Sequence, residues 1–475
     1  MAPRSITPRD QDRPFECDEL FFSTTDVKGI IRSGNDVFVR VSGYPISELL
    51  GKPHNTIRHP DMPCAVFKLL WDYLGHGKSF AGYVKNMAAD GCRYWVMALA
   101  VPIPQGYLSV RFKPSSAFLS VAKDIYTEMR GIELAAGDTV AAHRSAMQRS
   151  AERLMAVLKE KGFADYDSFM HTALAAEMAQ HRDAIAARGR QGLTSPAFAS
   201  AMCHVSASAD ELEAMLQAAV TIDRLLDDLF SRVASFLDLI KRLDGKSEFL
   251  LELARDIRLI SFNAVTTSYR LDQSGRGLTV VTHNLATIME ESTQVITQMT
   301  RQISALTSSL REMAFSITSA KLQVEMTIFF LQELLRAKKQ GAQSTSGAAD
   351  LTRTRDDVSI LVGSFSVSTQ RMLDTLPHVQ EPLRPLVLLQ EQLSEIFRKL
   401  NVVRVTGKVQ ASYIAEATRL EDLFDGIFKQ LQVAQGELHE LSSGIRLLDE
   451  HVPRFQLSGT AVKDALSAFG AQVAT

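Results

Sequence analysis

The sequence predicts an α+β domain at the N-terminus followed by an all-α region, and two changes along the chain place the boundary near residue 115. Before it, short β-rich runs are separated by turn dipeptides, whereas after it apolar residues recur at helical spacing almost to the end. Pro196 is the only proline between residues 115 and 376, and long helices need such a scarcity of proline. At 475 residues the chain also exceeds one ordinary core, so two or more domains are expected.

The α+β part is indicated most clearly by a hairpin. Asp90-Gly91 lies between the β-rich runs 82–85 and 94–97, and Asp-Gly is a preferred connection between antiparallel strands. Further turns at Lys28-Gly29 and Ser33-Gly34 bound shorter runs nearer the N-terminus. These signals predict several short strands before residue 115.

Residues 54–63, His-Asn-Thr-Ile-Arg-His-Pro-Asp-Met-Pro, are the most informative stretch of the chain. So many polar side chains do not make a core element, and Pro60 and Pro63 restrict the backbone of the residues before them. The stretch therefore predicts a held loop whose polar groups point in set directions. An amphipathic helix that ends at Gly75 is expected to follow it.

The all-α part carries a coiled-coil pattern, because its clearest apolar run advances in steps of three and four. The run comprises Leu212, Met215, Ala219, Ile222, Leu226, Leu229, Val233, Phe236 and Ile240. Residues 341–347 predict a flexible break, and the prolines within 376–385 predict another. Beyond it we expect helices over 386–403 and 413–448. The C-terminal two-thirds is therefore expected to be an elongated helical bundle.

Composition narrows the class of protein. A formal net charge of −2 gives no electrostatic case for nucleic acid or an anionic membrane. No window reaches 18 apolar residues, so no membrane span is expected, and the polar N-terminus lacks a signal-peptide core. The cysteines show neither paired nor metal-type spacing, which favours a reduced, cytoplasmic setting without a metal site. They are Cys17, Cys64, Cys92 and Cys203.

Several separated motifs of the first part match one family in order. They are residues 22–26, 54–63, 84–86 and 93–96. Over roughly residues 16–115 the chain closely resembles the PAS domain of bacterial aerotaxis receptors, which implies a five-stranded antiparallel sheet with flanking helices. In those receptors the Arg-His-Pro-Asp loop is linked to FAD binding. The resemblance thus implies that Arg58, His59 and Asp61 bind FAD.

Two asparagines also stand at positions that the family associates with flavin binding or signal output. They are Asn35 and Asn86. Read without the resemblance, each is as well explained as a turn or cap residue.

Four aromatic residues could supply the flat apolar surface that a flavin or a porphyrin needs, although such a stripe is more often plain core. They are Trp71, Phe80, Tyr83 and Trp95. Flavin-binding relatives have Trp where this chain has Phe80, so an indole N–H is lost. Related PAS sensors bind haem through a His on the preceding helix, and His76 lies near that place. Haem b is therefore the second cofactor hypothesis, and a domain without cofactor is the third.

A second resemblance lies near residues 256–292. This segment looks like the signalling hairpin tip of methyl-accepting chemotaxis proteins, where two antiparallel helices meet at a short turn and bind a histidine kinase and its adaptor. The matching tip residues include Asn263, Arg270, Gly275, Arg276 and Gly277. Family acidic positions are filled by Thr267, Gln273 and Asn284, so the tip is divergent and loses charges that could fix the register of a partner.

These predictions divide the chain into five parts. They are a disordered tail over 1–15, a PAS domain over 16–115, a helical region over 116–340, a flexible break over 341–350 and C-terminal helices over 351–475. Because receptor hairpins pair into four-helix bundles, the resemblance implies a homodimer. The competing arrangement has the C-terminal helices covering the apolar stripe within one chain.

Two functions of different classes follow. The first is a cytoplasmic redox or oxygen sensor of the aerotaxis type, which senses through PAS-bound FAD and signals through the hairpin. The second is a scaffold in which the PAS domain mediates dimerisation without sensing. The sequence has no Walker loop, no Gly-x-Ser-x-Gly and no kinase signature, so an enzyme is not expected.

Overall fold

The computed structural model describes residues 6–137, 139–188, 209–269, 276–339, 348–413 and 418–474. The chain divides into two compact units. The first comprises residues 1–233, 314–372 and 458–475, and the second comprises residues 234–313 and 373–457.

Five strands of the first unit form one antiparallel sheet in the order β2-β1-β5-β4-β3. The strands are β1 (Phe21–Thr25), β2 (Ile31–Gly34), β3 (Phe80–Met87), β4 (Arg93–Ile103) and β5 (Gly106–Phe112). The predicted hairpin is confirmed, since Gly82 pairs with Ala98 and Val84 with Val96. The predicted α+β class, a five-stranded antiparallel sheet with flanking helices, is confirmed as well.

Helices make up most of the remaining chain, which confirms the all-α second part. Those before residue 189 are α1 (Asp36–Ser42), α2 (Ile46–Leu49), a 3-10 turn (His54–Ile57), α3 (Cys64–Gly75), α4 (Phe118–Leu134), α5 (Val140–Glu160) and α6 (Tyr166–Arg188). The later ones are α7 (Ala209–Ser268), α8 (Arg276–Lys339), α9 (Ala348–Gln380), α10 (Leu383–Ala411) and α11 (Thr418–Ala474). No helix among the described residues is long and apolar enough to cross a membrane.

Of the two predicted breaks between helices, only the second lies within the described residues. Residues 340–347 lie outside the described residues, so the first break is not tested, and α9 begins at Ala348. The second break is confirmed, because α9 ends at Gln380 and α10 begins at Leu383. Pro377 lies inside the last turn of α9, so the helix continues past it.

The N-terminal segment differs from the disordered tail that the sequence predicts. The amide N–H of Arg9 donates to Gly91 O at 2.8 Å, and that of Arg13 donates to Arg93 O at 2.7 Å. The amide N–H of Arg93 in turn donates to Gln11 O at 2.9 Å. Residues 9–13 are thus ordered by the β3–β4 hairpin, whose backbone supplies hydrogen-bond partners that composition does not reveal.

One face of the sheet, here called the outer face, carries Phe22, Trp95 and Phe112. Three helices of the first unit cover it through aromatic contacts. Trp95 stacks on Tyr126 of α4 with ring centroids 6.3 Å apart. Phe22 meets Phe330 of α8 edge to face, at 5.1 Å. On α6, His181 lies 5.2 Å from the Phe112 ring. Helices α4, α6 and α8 thus cover this face, whereas α3 lies over the inner face.

The second unit is a helical bundle formed within one chain. Helices α7 and α8 are antiparallel in this unit, since Ser268 Oγ lies 2.9 Å from Thr282 Oγ1 and Arg258 pairs with Glu290 at 4.0 Å. The other contacts are Lys399 of α10 with Glu291 at 3.6 Å, Lys408 of α10 with Asp425 of α11 at 2.7 Å, and Lys246 of α7 with Glu440 of α11 at 2.7 Å. In this unit, therefore, α10 and α11 pack on the α7–α8 hairpin, as the single-chain arrangement predicts.

Candidate functional site

The inner face of the sheet and helix α3 enclose a cavity of about 220 Å³. Typical small-molecule pockets measure roughly 300–1,000 Å³, so this cavity suits the flat ring end of a large ligand better than the whole molecule. Its apolar walls come from Phe67, Leu70, Trp71, Leu74, Val84, Ala98 and Ala100. Its polar lining comes from Ser23, Thr25, His54, Asn55, Arg58, Asn86, Tyr107, Ser109 and Arg111.

The Arg-His-Pro-Asp loop lies against the free edge of strand β3. Arg58 forms an antiparallel bridge with Asn86, and the His59 amide N–H donates to Lys85 O at 3.3 Å. Successive residues of extended backbone point to opposite faces. Arg58 and Asn86 therefore line the cavity, whereas His59 does not.

Arg58 connects the loop with the cavity. Its Nη2 donates to Met62 O at 2.7 Å and to Cys64 Sγ at 3.2 Å. Its guanidinium carbon lies 4.4 Å from the centre of the Phe67 ring, which is part of the cavity wall. Loss of this side chain would therefore loosen the loop and change the cavity together.

His59 and Asp61, also expected to bind a cofactor, hold the loop instead of lining the cavity. The buried His59 accepts the Asp61 amide N–H at Nδ1, 3.1 Å away. Burial, followed by the charge of Lys85, lowers the pKa of His59, so its ring is neutral at neutral pH. The Asp61 carboxylate accepts from Lys85 Nζ at 2.6 Å, and this hydrogen bond lowers the pKa of Asp61.

Trp71 forms part of the cavity wall and is 41% exposed. Its ring meets Tyr107 edge to face, with centroids 5.6 Å apart. Gly29 lies beneath it with φ +76°, and a Cβ at that position would be 2.8 Å from the Trp71 ring. Glycine is therefore required at this position for the positive φ of the turn and for the close packing of the Trp71 indole.

The structure does not bring the other three aromatic residues to the cavity. Phe80 packs between Tyr73 and Tyr166, stacking on the latter at 5.5 Å. Tyr83 and Trp95 point to the outer face, because both are out of phase with the inward residues of their strands. Only Trp71 of the four can supply ring contact to a ligand in this cavity.

Two buried donors on the cavity wall have no hydrogen-bond partner among the described residues. They are Asn86 Nδ2 and Arg111 Nη1, on side chains 2% and 4% exposed. A buried donor without a partner costs about 1–3 kcal/mol. Both belong to residues that line the same cavity, so they are candidate donors to a ligand bound there.

Asn35 lies outside the cavity and joins the sheet to α8. Its Oδ1 accepts the Phe22 amide N–H, and its Nδ2 donates to Leu20 O and to Glu333 Oε2, all at 3.1 Å. Of the two roles that the family gives this position, the contact with α8 is compatible with signal output. Burial raises the pKa of Glu333 well above its ordinary range.

Two further glutamates anchor helices of the first unit to the sheet domain. Glu177 of α6 is completely buried and accepts from the amide N–H groups of Ser115 and Ser116, and from the Tyr83 hydroxyl. Glu133 of α4 accepts from the first amide N–H groups of α3, at 2.7 and 3.0 Å. Because α3 forms a cavity wall, Glu133 couples that wall to α4.

His76 lies at the exposed C-terminal end of α3, with Nδ1 2.6 Å from Asp72 O. It does not line the cavity. The histidine that does is His54, and its Nε2 lies 2.7 Å from Arg111 Nη2. His76, the residue expected to bind haem, thus lies outside this cavity, and Nε2 of His54 is engaged by Arg111.

The predicted signalling tip is described in part. Arg270 and Gly275 lie outside the described residues, as does the side chain of Arg276. Asn263 is exposed on α7, and Gly277 lies near Gln410 of α10. The two helices on either side of 270–275 are antiparallel, as such a tip requires.

Sequence reasoning missed Arg111 and the lining role of His54. Residues two positions apart on a strand point to the same face, so the sequence could have shown that Arg111 and Ser109 of β5 share one face of the sheet. The inward direction itself depended on the pairing of β5 between β1 and β4, which sequence did not establish.

The family comparisons agree with this geometry. Residues 32–109 match the family model for the PAS fold, so the cavity belongs to a PAS domain. The chain is also similar to the aerotaxis receptor of Escherichia coli K12, with 41% identity over 121 residues. That match covers 24% of this chain and 24% of the receptor, so the chain spans about a quarter of that relative's length.

Proposed function

We propose that this chain is a redox or oxygen sensor that binds FAD in its PAS cavity and transmits the state of the cofactor through its long helices. The observation that carries the proposal is the pair of unpartnered buried donors, Asn86 Nδ2 and Arg111 Nη1, on two residues that line the same largely apolar cavity. A flavin ring system is flat and apolar on its faces and carries acceptor atoms along its edge. The similarity to an aerotaxis receptor supports a sensing role for this domain.

The residues present fit such a group. Trp71 and Phe67 would contact the ring faces, while Asn86 and Arg111 would donate to its edge. Bound FAD would supply reversible electron transfer, and the protein would bind, orient and tune it. Arg58 would hold the loop that closes this side of the cavity, through its bonds to Met62 and Cys64.

Two contacts of the first unit can carry a change in the cavity to the helices. Glu133 joins α3, a cavity wall, to α4. Asn35 and Glu333 join the sheet to α8, the helix that also contains the second half of the receptor-like hairpin. A ligand-dependent shift of either contact would bias a packing equilibrium of the helices.

We propose that the receiving partner is a protein related to the chemotaxis histidine kinase or its adaptor. In the second unit, Leu259 and Phe262 of α7 and Val280 of α8 are 62–69% exposed, on the two helices that flank residues 270–275 in the sequence. Exposed large apolar side chains at such a site are typical of a protein-binding surface. With Thr267 and Asn284 in place of acids, recognition here would depend on apolar contact more than on charge.

An absorption spectrum of the full chain, purified from its own host, tests the cofactor directly. We expect a yellow protein with flavin bands. A Soret band would instead identify haem. A colourless, folded protein would favour the scaffold function.

Arg58→Ala is expected to weaken the affinity for flavin at least tenfold, equivalent to about 1.4 kcal/mol, because it removes a lining residue that also anchors the loop. His59→Ala is expected to have a smaller effect, since His59 does not line the cavity. Flavin-to-protein absorbance ratios after gel filtration measure both. Flavin retention in Arg58→Ala equal to that of the wild type would remove Arg58 from the site.

The homodimer that the resemblance implies is tested by light scattering. Because α10 and α11 pack on the hairpin within one chain of the second unit, we expect a mass near the monomer value of 52.5 kDa at micromolar concentration. A mass near twice that value would show that the buried stripe still leaves a dimer interface.

A further inference from the structure

Arg111 is a buried cation in the cavity wall, and no carboxylate of the described residues lies within 4 Å of it. Its Nη2 donates to Ser23 Oγ at 3.0 Å and lies 2.7 Å from His54 Nε2. Its guanidinium carbon lies 6.0 and 5.6 Å from the ring centres of Phe21 and Phe38. Neutral acceptors and aromatic faces therefore replace the acidic partner that a buried guanidinium ordinarily has.

The neighbours of Arg111 do not neutralise it. Burial, followed by the charge of Arg111, lowers the pKa of His54 well below its ordinary value, so the imidazole is neutral and accepts at Nε2. Burial raises the pKa of Tyr94, whose hydroxyl is also neutral. Burial lowers the pKa of Arg111 itself to about 10, which leaves it protonated at neutral pH. No neighbouring side chain thus neutralises the charge of Arg111.

Arg58, the other guanidinium of the lining, also has only neutral partners among the described residues, but it is only half-buried, so water can screen its charge. It donates to Met62 O and Cys64 Sγ within its own loop and is less deeply enclosed. Arg111 has an unpartnered Nη1 and lies at the middle strand of the sheet. Of the two cations, Arg111 is the one whose charge requires a ligand.

We propose that Arg111 faces the electron-rich edge of the bound flavin and stabilises the negative charge that this edge gains on reduction. The inference rests on the proposed function, because it assigns a role toward FAD in the same cavity. When a reductant such as dithionite delivers two electrons to the flavin and one proton is taken up from water, one negative charge remains on the ring system. A fixed cation in a wall of low polarity binds the charged form more tightly than the uncharged, oxidised form. Arg111 thereby raises the reduction potential of the sensor.

The test is the midpoint potential of the full chain, measured by dithionite titration against a reference dye. Arg111→Gln keeps polar contacts with Ser23 and His54 but removes the charge. We expect it to weaken binding of reduced relative to oxidised FAD by at least tenfold, which lowers the potential by about 30 mV for a two-electron couple. Arg111→Lys should keep the wild-type potential, because it retains the charge.

A matched control is Lys123→Gln, because Lys123 lies over Trp95 on the outer face of the sheet and does not line this cavity. It should leave the potential unchanged. Flavin present in Arg111→Gln at the wild-type potential would overturn this inference alone, whereas wild-type protein without flavin would overturn the proposed function.

If Arg111→Gln does not fold, the wild-type chain supplies a second readout. Its reduced flavin should keep the absorbance of the anionic form at pH values where free reduced FAD becomes neutral. Protonation at the same pH as free FAD would overturn the assignment of Arg111.

Discussion

Replacing Glu177 by Ala is expected to lower the free energy of unfolding of the PAS domain by about 3–5 kcal/mol, because each buried donor left without a partner costs roughly 1–3 kcal/mol. Glu177 accepts from the amide N–H groups of Ser115 and Ser116, at 2.7 and 2.9 Å. It also accepts from the Ser116 and Tyr83 hydroxyls, both at 2.7 Å. The hydroxyls can rotate toward each other, but the two amide groups are fixed by the start of α4.

Urea unfolding followed by tryptophan fluorescence measures this effect selectively. The chain has two tryptophans, Trp71 and Trp95, and both belong to the PAS domain. Their signal therefore reports the domain even if the helical bundle unfolds separately.

Glu177→Gln is the matched variant, because its amide oxygen can still accept from the backbone while its NH₂ donates to the hydroxyls. We expect it to lose less than half as much stability as the Ala variant. Glu152→Ala, at an exposed position of α5, should leave the midpoint unchanged. A Glu177→Ala midpoint equal to that of Glu152→Ala would show that α6 does not support the domain.

The sequence was sufficient for the class of fold, because the periodicity of two before residue 115 and the helical spacing after it are local signals. It was also sufficient for the hairpin at Asp90-Gly91 and for the break near Pro382. Local signals of this kind do not determine the order of the strands in the sheet. This order decides that β5 lies between β1 and β4, and hence that Arg111 lies in the cavity wall.

The candidate site shows the same limit. Of the eight residues expected to bind a cofactor, Arg58, Trp71 and Asn86 line the cavity. His59 and Asp61 hold the loop, partly through each other, and Asn35, Phe80 and Trp95 contact partners far away in sequence, which no local pattern encodes. Asn35, for example, contacts Glu333 across 298 positions of sequence. Trp95 is directed outward by the phase of its strand and is covered by α4.

The contact between Asn35 and Glu333 leads to the second large effect. Burial raises the pKa of Glu333 well above its ordinary value of 4.5, with the nearby Asp36 adding to the shift. The hydrogen bond from Asn35 opposes the shift, as do the charges of Arg336 and Arg40. In the unfolded chain this carboxyl ionises near its ordinary value. The folded state is therefore favoured by Glu333 at low pH, and this advantage is lost as pH rises from about 4.5 toward the folded pKa.

Glu333→Gln is expected to remove this penalty while keeping an amide oxygen for Asn35 Nδ2. Each unit by which the folded pKa exceeds the unfolded one is worth about 1.4 kcal/mol. We therefore expect the variant to gain at least about 1.4 kcal/mol over the wild type at pH 8, with the difference shrinking toward pH 5. Urea midpoints by tryptophan fluorescence at pH 5, 6.5 and 8 measure it, because the contact ties α8 to the sheet domain.

Glu312→Gln supplies the control, since Glu312 is an exposed residue of the same helix. It makes the same substitution without changing a buried contact, so its pH series supplies the baseline for Glu333→Gln. A Glu333→Gln difference that varies with pH no more than this baseline would show that this carboxyl is not held neutral. A difference that grows with pH would place an ionisable group, kept uncharged by the fold, at the contact between the PAS sheet and α8. The packing of that contact would then depend on charge, which is the property that a link between a redox cofactor and a signalling helix requires.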